Sequence, residues 1–325
     1  MPRLSAMSSR SFNNQGIDLD SGLPSKRAIF GYGSDGYSWR SMTNLVSNTG
    51  VVATDTTGVG MARVGLAAAS YGGDKAIFGY GYGGNSSFQS ITNKVSNTGV
   101  VEIDTAGVGT ARHSLAAAGY GTDKAIFGFG AVAFGVAGQY RSMTNRVSNT
   151  GVVSDDVTNS GMQTRDSLAA AGYGGDKAIF GYGGDNTNTN YINLVSNTGV
   201  VVSEVVFGGG TARIGLAAAG YGVDKAIFGF GNTGTRNTPV VTAVTNLISN
   251  TGVMAAEIAG VGTTRYGLAA ASYGTNKAIF GFGSPNLGPF DTISTTNLVS
   301  NTGVVASNTT GVGFVRSSLA AASFG

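Results

Sequence analysis

Residues 63–112 read RVGLAAASYGGDKAIFGYGYGGNSSFQSITNKVSNTGVVEIDTAGVGTAR, and the rest of the chain from residue 26 onward restates that wording with small changes. The segment Ala-Ile-Phe-Gly-(Tyr/Phe)-Gly occurs six times, with its Phe at Phe30, Phe78, Phe127, Phe180, Phe228 and Phe280, a mean spacing of 50 residues. Val-Ser-Asn-Thr-Gly, or Ile-Ser-Asn-Thr-Gly in one copy, follows Asn44, Asn93, Asn145, Asn193, Asn246 and Asn297. An Arg stands three residues before Leu-Ala-Ala-Ala at Arg63, Arg112, Arg165, Arg213, Arg265 and Arg316. Self-similarity at a fixed period of this size marks an array of one supersecondary unit.

One unit reads as four strands. Strand a covers 65–71, a tight turn follows at 72–74, and strand b covers 75–80. A variable loop leads to strand c at 92–96; Asn97-Thr98-Gly99 is a hairpin turn whose Gly takes the left-handed conformation. Strand d covers 100–104, and a Gly-rich link returns to Arg112. Leu-Ala-Ala-Ala is too short for a helix that stands alone, and its small side chains suit an innermost, crowded strand. Alternation along strand b puts Ala76, Phe78 and Tyr80 on one side and Ile77, Gly79 and Gly81 on the other, so rings of one unit can lie on the Gly-lined face of the next. All five prolines fall outside the predicted strands, as ladder hydrogen bonding requires.

The first unit begins at strand b, 27–32, and the sequence ends on a lone strand a, 317–324. Joined in space, these complete a sixth unit. The predicted fold is therefore all-β: a six-bladed β-propeller of four-stranded antiparallel blades, closed by the C-terminal strand pairing with the N-terminal blade. The predicted domains are an N-terminal arm, 1–25, and the propeller, 26–325.

Composition narrows the function classes. With 54 Gly, 42% hydrophobic and 11% charged residues, the chain is too apolar for disorder. It has no Cys, which removes disulfides and thiolate metal sites. The first 25 residues lack the apolar core of a signal peptide, and no run of eighteen apolar residues is present to insert in a membrane. The net charge of +3 is spread evenly, so no nucleic-acid partner is expected.

The unit resembles a kelch repeat, with an apolar strand b closing on paired glycines and an Arg ahead of strand a. It departs from that pattern in three ways. Gly-(Tyr/Phe)-Gly replaces adjacent Gly-Gly, the blade Trp is missing, and Val-Val stands in its place; the sole Trp, Trp39, lies in a loop. The resemblance covers residues 26–325 and implies a fold rather than an activity. The near-identical wording is also similar to Gly-rich propeller repeats of tailed bacteriophages. That resemblance implies a virion component assembled in the host cytoplasm.

In an up-and-down blade the a–b and c–d turns lie on one face and the b–c and d–a connections on the other. Here the a–b and c–d turns are nearly constant, whereas the b–c loops (34–41, 82–90, 131–142, 184–191, 232–244 and 284–295) differ in length and chemistry. Recognition usually resides in variable loops on a rigid scaffold. The candidate binding residues are Tyr37, Trp39, Phe88, Phe134, Tyr140, Tyr191, Arg236 and Phe290. The six arginines at 63, 112, 165, 213, 265 and 316 offer either an anion-binding ring near the channel mouth or a repeated tie between strands, and their recurrence in every unit favours the tie. His113 is the sole His, which leaves no catalytic triad, metal site or cofactor to assign. The expected function is a non-enzymatic structural or adhesive virion protein (tail, fibre or capsid surface). Its arm would dock other virion proteins and its loops a host surface glycan or protein. A cellular kelch-like interaction module or lectin is the alternative, and a propeller hydrolase a minor one.

Overall fold

The computed structural model describes residues 25–206, 210–236, 238–285 and 291–325. The arm and the candidate Phe290 lie outside the described residues. Among the described residues there is no helix, and the strands form six antiparallel sheets. In five of them an Ala-rich strand pairs with the Lys-Ala-Ile-Phe-Gly strand that follows it. These are Ala67–Tyr71 with Lys75–Gly83, Ala116–Tyr120 with Lys124–Gly128, Ala169–Tyr173 with Lys177–Gly181, Ala217–Tyr221 with Lys225–Asn232, and Ala269–Tyr273 with Lys277–Gly281. The sixth joins segments almost 300 residues apart in sequence: Arg27–Gly31 pairs with Ala320–Phe324, Arg27 opposite Phe324 and Gly31 opposite Ala320. A third strand flanks each pair, such as Thr43–Val46 or Phe88–Val95.

The expected strand d is a looser element. It touches strand c at two separated bridges, for example Val95 with Val101 and Thr92 with Thr105. Three steps on one side face four on the other, so each outer segment carries one extra residue. Such a bulge breaks the ladder and re-aims a side chain. Here it turns Asp104 inward, where it accepts a hydrogen bond from Asn93 at 2.9 Å. Among the described residues only Val205–Val206 forms a short ladder in this position.

Packing between sheets explains the glycines. A Cβ added at Gly79 would stand 2.8 Å from the Phe127 ring of the next copy, and one at Gly281 would stand 2.8 Å from Phe30. Only a bare Cα lets the ring lie flat there. The simple alternation along strand b fails at one residue. Tyr80 has φ +64°, and its counterparts Tyr32, Phe129, Tyr182, Phe230 and Phe282 share the left-handed conformation. The register slips between Gly79 and Gly81. Phe78 therefore packs back on Tyr32 at 5.1 Å, while Tyr80 turns forward onto Phe127 at 5.2 Å. Each hydrophobic cluster thus draws on two successive copies. An aromatic residue in the left-handed region costs roughly 1–2 kcal/mol, and burial of its ring offsets that.

A further set of backbone hydrogen bonds links the sheets where the Ala-rich strands begin. Ser114 N donates to Gly65 O, Ser167 N to Ser114 O and Gly215 N to Ser167 O, at 2.6–2.8 Å. Gly267 N donates to Gly215 O, Ser318 N to Gly267 O and Gly65 N to Ser318 O, at 2.7–2.9 Å. These residues all have φ between +52° and +63°.

Candidate functional site

The six repeated arginines are fully buried. Each guanidinium lies 4.2–4.8 Å over the left-handed aromatic ring of the preceding copy. Its Nη2 donates to the repeated Asn of its own copy: Arg63 to Asn93 at 2.6 Å, Arg112 to Asn145 at 2.6 Å, Arg213 to Asn246 at 2.7 Å, Arg265 to Asn297 at 2.7 Å and Arg316 to Asn44 at 2.5 Å. Arg165 bonds Asn193 in the same way. Five also meet a carboxylate of the outer segment at 3.2–3.8 Å: Asp104, Asp156, Glu204, Glu257 and Asp55. The guanidiniums face rings, amides and carboxylates of the chain itself, with no side open to solvent. Burial lowers the pKa of all six, that of Arg165 and Arg265 to about 10. Burial pushes Asp156 up, but hydrogen bonds from Thr110 and Asn145 and the charge of Arg112 hold it below its ordinary value.

The b–c loops carry the unrepeated chemistry. Trp39, Tyr82, Phe88, Phe134 and His113, drawn from three successive copies, form one aromatic patch. Tyr82 is central: its ring lies 5.1 Å from Trp39, 5.2 Å from Phe88 and 4.8 Å from Phe134. His113 packs against both Phe88 at 5.1 Å and Phe134 at 4.3 Å, which touch each other at 5.3 Å, and its Nδ1 lies 2.8 Å from Ser114 Oγ. Burial in this stack lowers the His113 pKa to about 4, so the imidazole is neutral near pH 7. Phe134 is 56% exposed; Trp39, Tyr82 and Phe88 are half-buried.

Tyr37 stands 79% exposed on a braced loop. Asp35 Oδ1 accepts from Tyr37 N at 2.9 Å and Ser38 N at 2.7 Å, and its Oδ2 pairs with Arg40. Arg236 reaches from the loop of one copy to Asp166 of the copy before it, forming an ion pair, with Ser167 Oγ 3.4 Å away. Asp166 is buried, and burial raises its pKa against the pull of Arg236. Of the other candidates, Tyr140 is 3% exposed and so offers no contact surface of its own. Tyr191 is half-buried at the start of strand c, opposite Val206. The structure therefore gathers Trp39, Phe88 and Phe134, leaves Tyr37 exposed on the loop that carries Trp39, holds Arg236 against Asp166, and withdraws Tyr140.

Sequence reading passed over Tyr82 and Asp166 and took His113 for an ordinary strand residue. The missed signal is the residue after each repeated Arg: Val64, His113, Asp166, Ile214, Tyr266 and Ser317, a different type in every copy between constant neighbours. Each bridges the residue just beyond Gly-(Tyr/Phe)-Gly in the loop that it supports, as in His113 with Ala131, Asp166 with Gly184, and Ile214 with Asn232. His113 holds Phe134, and Asp166 holds Arg236. Two loops thus meet an anchor of matching chemistry at this position, loop 131–142 in its own copy and loop 232–244 in the copy before it.

A cavity of about 200 Å³ opens at the other end of the Ala-rich strands, with Lys26, Lys124, Lys177 and Lys277 on its lining. Its residues belong to the constant turns, where Lys75, Lys124 and Lys225 pair with the preceding Asp at 2.6–2.9 Å. Exposed pairs of this kind add little to stability. The cavity lacks the copy-to-copy differences of the loop side. No protein-family model matches the chain, and neither does any curated protein sequence.

Proposed function

We propose that the chain is a closed six-bladed β-propeller that acts, without catalysis, as a recognition scaffold, and that the b–c side is its contact face. Closure is supported by the backbone bonds among residues 65, 114, 167, 215, 267 and 318, which lead back to their starting point. The pairing of Arg27–Gly31 with Ala320–Phe324 supports it as well. The observation that carries the recognition reading is the residue after each Arg. Drift explains variable loop tips, but a loop that drifts needs no dedicated anchor. His113 and Asp166 are buried anchors differing from their counterparts in every other copy; His113 packs on Phe134 of its own copy's loop, and Asp166 pairs with Arg236 of the next copy's loop.

We place this scaffold on a virus particle as an adhesive or structural component. The likeness of its repeats to those of tailed-phage propellers and its lack of Cys support that placement. Mass spectrometry of purified particles, with gold-labelled antibody imaging, tests it. Signal at tail, fibre or capsid surface upholds the placement. A protein found only free in the cell refutes it and leaves a cellular interaction module.

A further inference from the structure

We infer that the aromatic patch on the b–c side binds a neutral polysaccharide, with Trp39, Tyr82 and Phe134 as stacking surfaces for successive sugar rings. This inference rests on the recognition reading above and names its ligand. Three observations lead to it. First, the rings come from three copies in contact order Trp39, Tyr82, Phe134, with Tyr82 5.1 Å from Trp39 and 4.8 Å from Phe134, so that the patch is continuous across three loops. They meet at 73° and 80°, so their faces point in different directions, as a twisting saccharide chain presents its own faces. Second, the cations of the neighbouring loops are engaged within the chain: Arg40 pairs with Asp35, Arg236 with Asp166, and Arg141 Nη1 donates to Gly138 O and Tyr140 O. His113 is neutral by burial. None of these groups is held open to select an acidic sugar or a phosphate.

Third, the hairpin that carries two of the rings also carries polar side chains held by hydrogen bonds. Asn85 Oδ1 accepts from Gln89 Nε2 at 2.9 Å and from Ser87 Oγ at 2.8 Å, at the tip of the hairpin carrying Tyr82 and Phe88. Aromatic faces beside amides and hydroxyls suit a ligand with C–H faces and many hydroxyls. A protein partner is a poorer match. A stable protein interface buries about 800 Å² on each side around an apolar centre, whereas in these three loops the large apolar side chains classed as exposed are Tyr37, Phe134 and Val136.

Trp39 is the sole Trp of the chain, so its emission reports directly on the patch. The test is titration of the full chain with maltohexaose, cellohexaose and mannohexaose, followed by Trp39 fluorescence and by affinity electrophoresis in gels holding the matching polysaccharides. A saturable emission change with at least one hexasaccharide is expected, with affinity weakened at least tenfold in Phe134→Ala. Val100→Ala, 63% exposed beside the constant Asn97-Thr98-Gly99 turn, serves as a folding-neutral comparison. Trp39→Ala removes the fluorophore and is read by electrophoresis alone. If no hexasaccharide alters Trp39 emission or retards the protein, the inference is overturned. Equal binding by Phe134→Ala overturns it as well. A protein located on particles but inert to these saccharides loses this inference and keeps the recognition reading; a protein absent from particles that still binds keeps the reverse.

Discussion

Arg265 is the one repeated arginine with no carboxylate within ion-pair distance among the described residues, because Asn308 stands where the other copies carry Asp55, Asp104, Asp156, Glu204 or Glu257. Its Nη1 donates to Thr263 O at 2.9 Å and its Nη2 to Asn297 at 2.7 Å, while Nε has no partner. Asn308→Asp therefore supplies the missing charge. The surroundings already accept it: Thr263 N donates to Asn308 Oδ1 at 3.1 Å and Asn297 Nδ2 does so at 3.0 Å. The Thr263 hydroxyl, which now accepts from the Asn308 amide at 2.7 Å, would turn and donate, as the Thr110 hydroxyl does to Asp156 at 2.6 Å. Two charges about 4 Å apart attract by about 4 kcal/mol at an effective dielectric near 20. Desolvation of the new carboxylate offsets much of that. Its counterparts keep 13–31% of their side-chain surface in water, which limits the loss. A net gain of about 1–2 kcal/mol remains, raising Tm by about 2–4 °C. The Asp156 precedent has its pKa held below the ordinary value, so the gain is present above the unfolded carboxylate value near ~3.9 and disappears as pH falls through the lower folded value. Differential scanning calorimetry at pH 7 and pH 2.5 reads both arms. A Tm unchanged or lowered at pH 7, or a gain that survives at pH 2.5, refutes the account of Arg265 as an uncompensated buried charge.

Acid should weaken the aromatic patch through His113. Its pKa is about 4 folded and 6.5 in the reference state, so its penalty is absent above pH 6.5 and grows as pH falls toward 4, reaching about 3 kcal/mol. In His113→Gln the difference in Tm between pH 7 and pH 4.5 should shrink; an unchanged difference would assign the acid response elsewhere. Arg112→Ala strips a buried cation from Phe129 O, Thr110 O and Asn145, and denaturant melts should show a loss of about 3–5 kcal/mol. A loss below about 1 kcal/mol would mean the arginines are dispensable ties. Gly79→Ala forces a Cβ to within 2.8 Å of the Phe127 ring and should cost about 1–3 kcal/mol. Gly73→Ala meets nothing within 4 Å, though its φ of +82° is strained, and should cost less; the reverse order of the two variants would contradict the packing described.

The repeat made the strand pairs, the Asn-Thr-Gly hairpins and the grouping of 317–324 with 27–32 legible, because each rests on local wording and period. The φ at Tyr80 was not legible. Nothing in Gly-Tyr-Gly distinguishes an ordinary strand residue from a left-handed one, and the need for that turn arises only when Arg112 must stack on the ring. The outer bulge was hidden for a similar reason: Val-Val-x-x-Asp reads as strand, yet Asp104 must turn in to meet Arg63. At the candidate site, Trp39 and Phe134 were visible as loop aromatics. Their meeting through Tyr82 depends on how long adjacent hairpins extend, which spacing along one chain does not encode. His113 was visible as a residue but read as an ordinary member of strand a, because its meaning lies in comparison with Val64, Asp166 and Ile214 rather than in its neighbours.

The pairing of Arg27–Gly31 with Ala320–Phe324 has a mechanical side. In the other five sheets the same two strands are joined at the Lys end by a covalent turn. Here chain enters at Arg27 and leaves at Phe324, held across that gap by ladder hydrogen bonds and by the Arg27 guanidinium, 5.0 Å above the Phe324 ring. A tug between the entering and leaving passages therefore opens the ladder one rung at a time, like a zip. A tug between one passage and the loop side instead strains the rungs together in shear. A tether on one passage, with grip on the far side, would use the molecule in its strong direction.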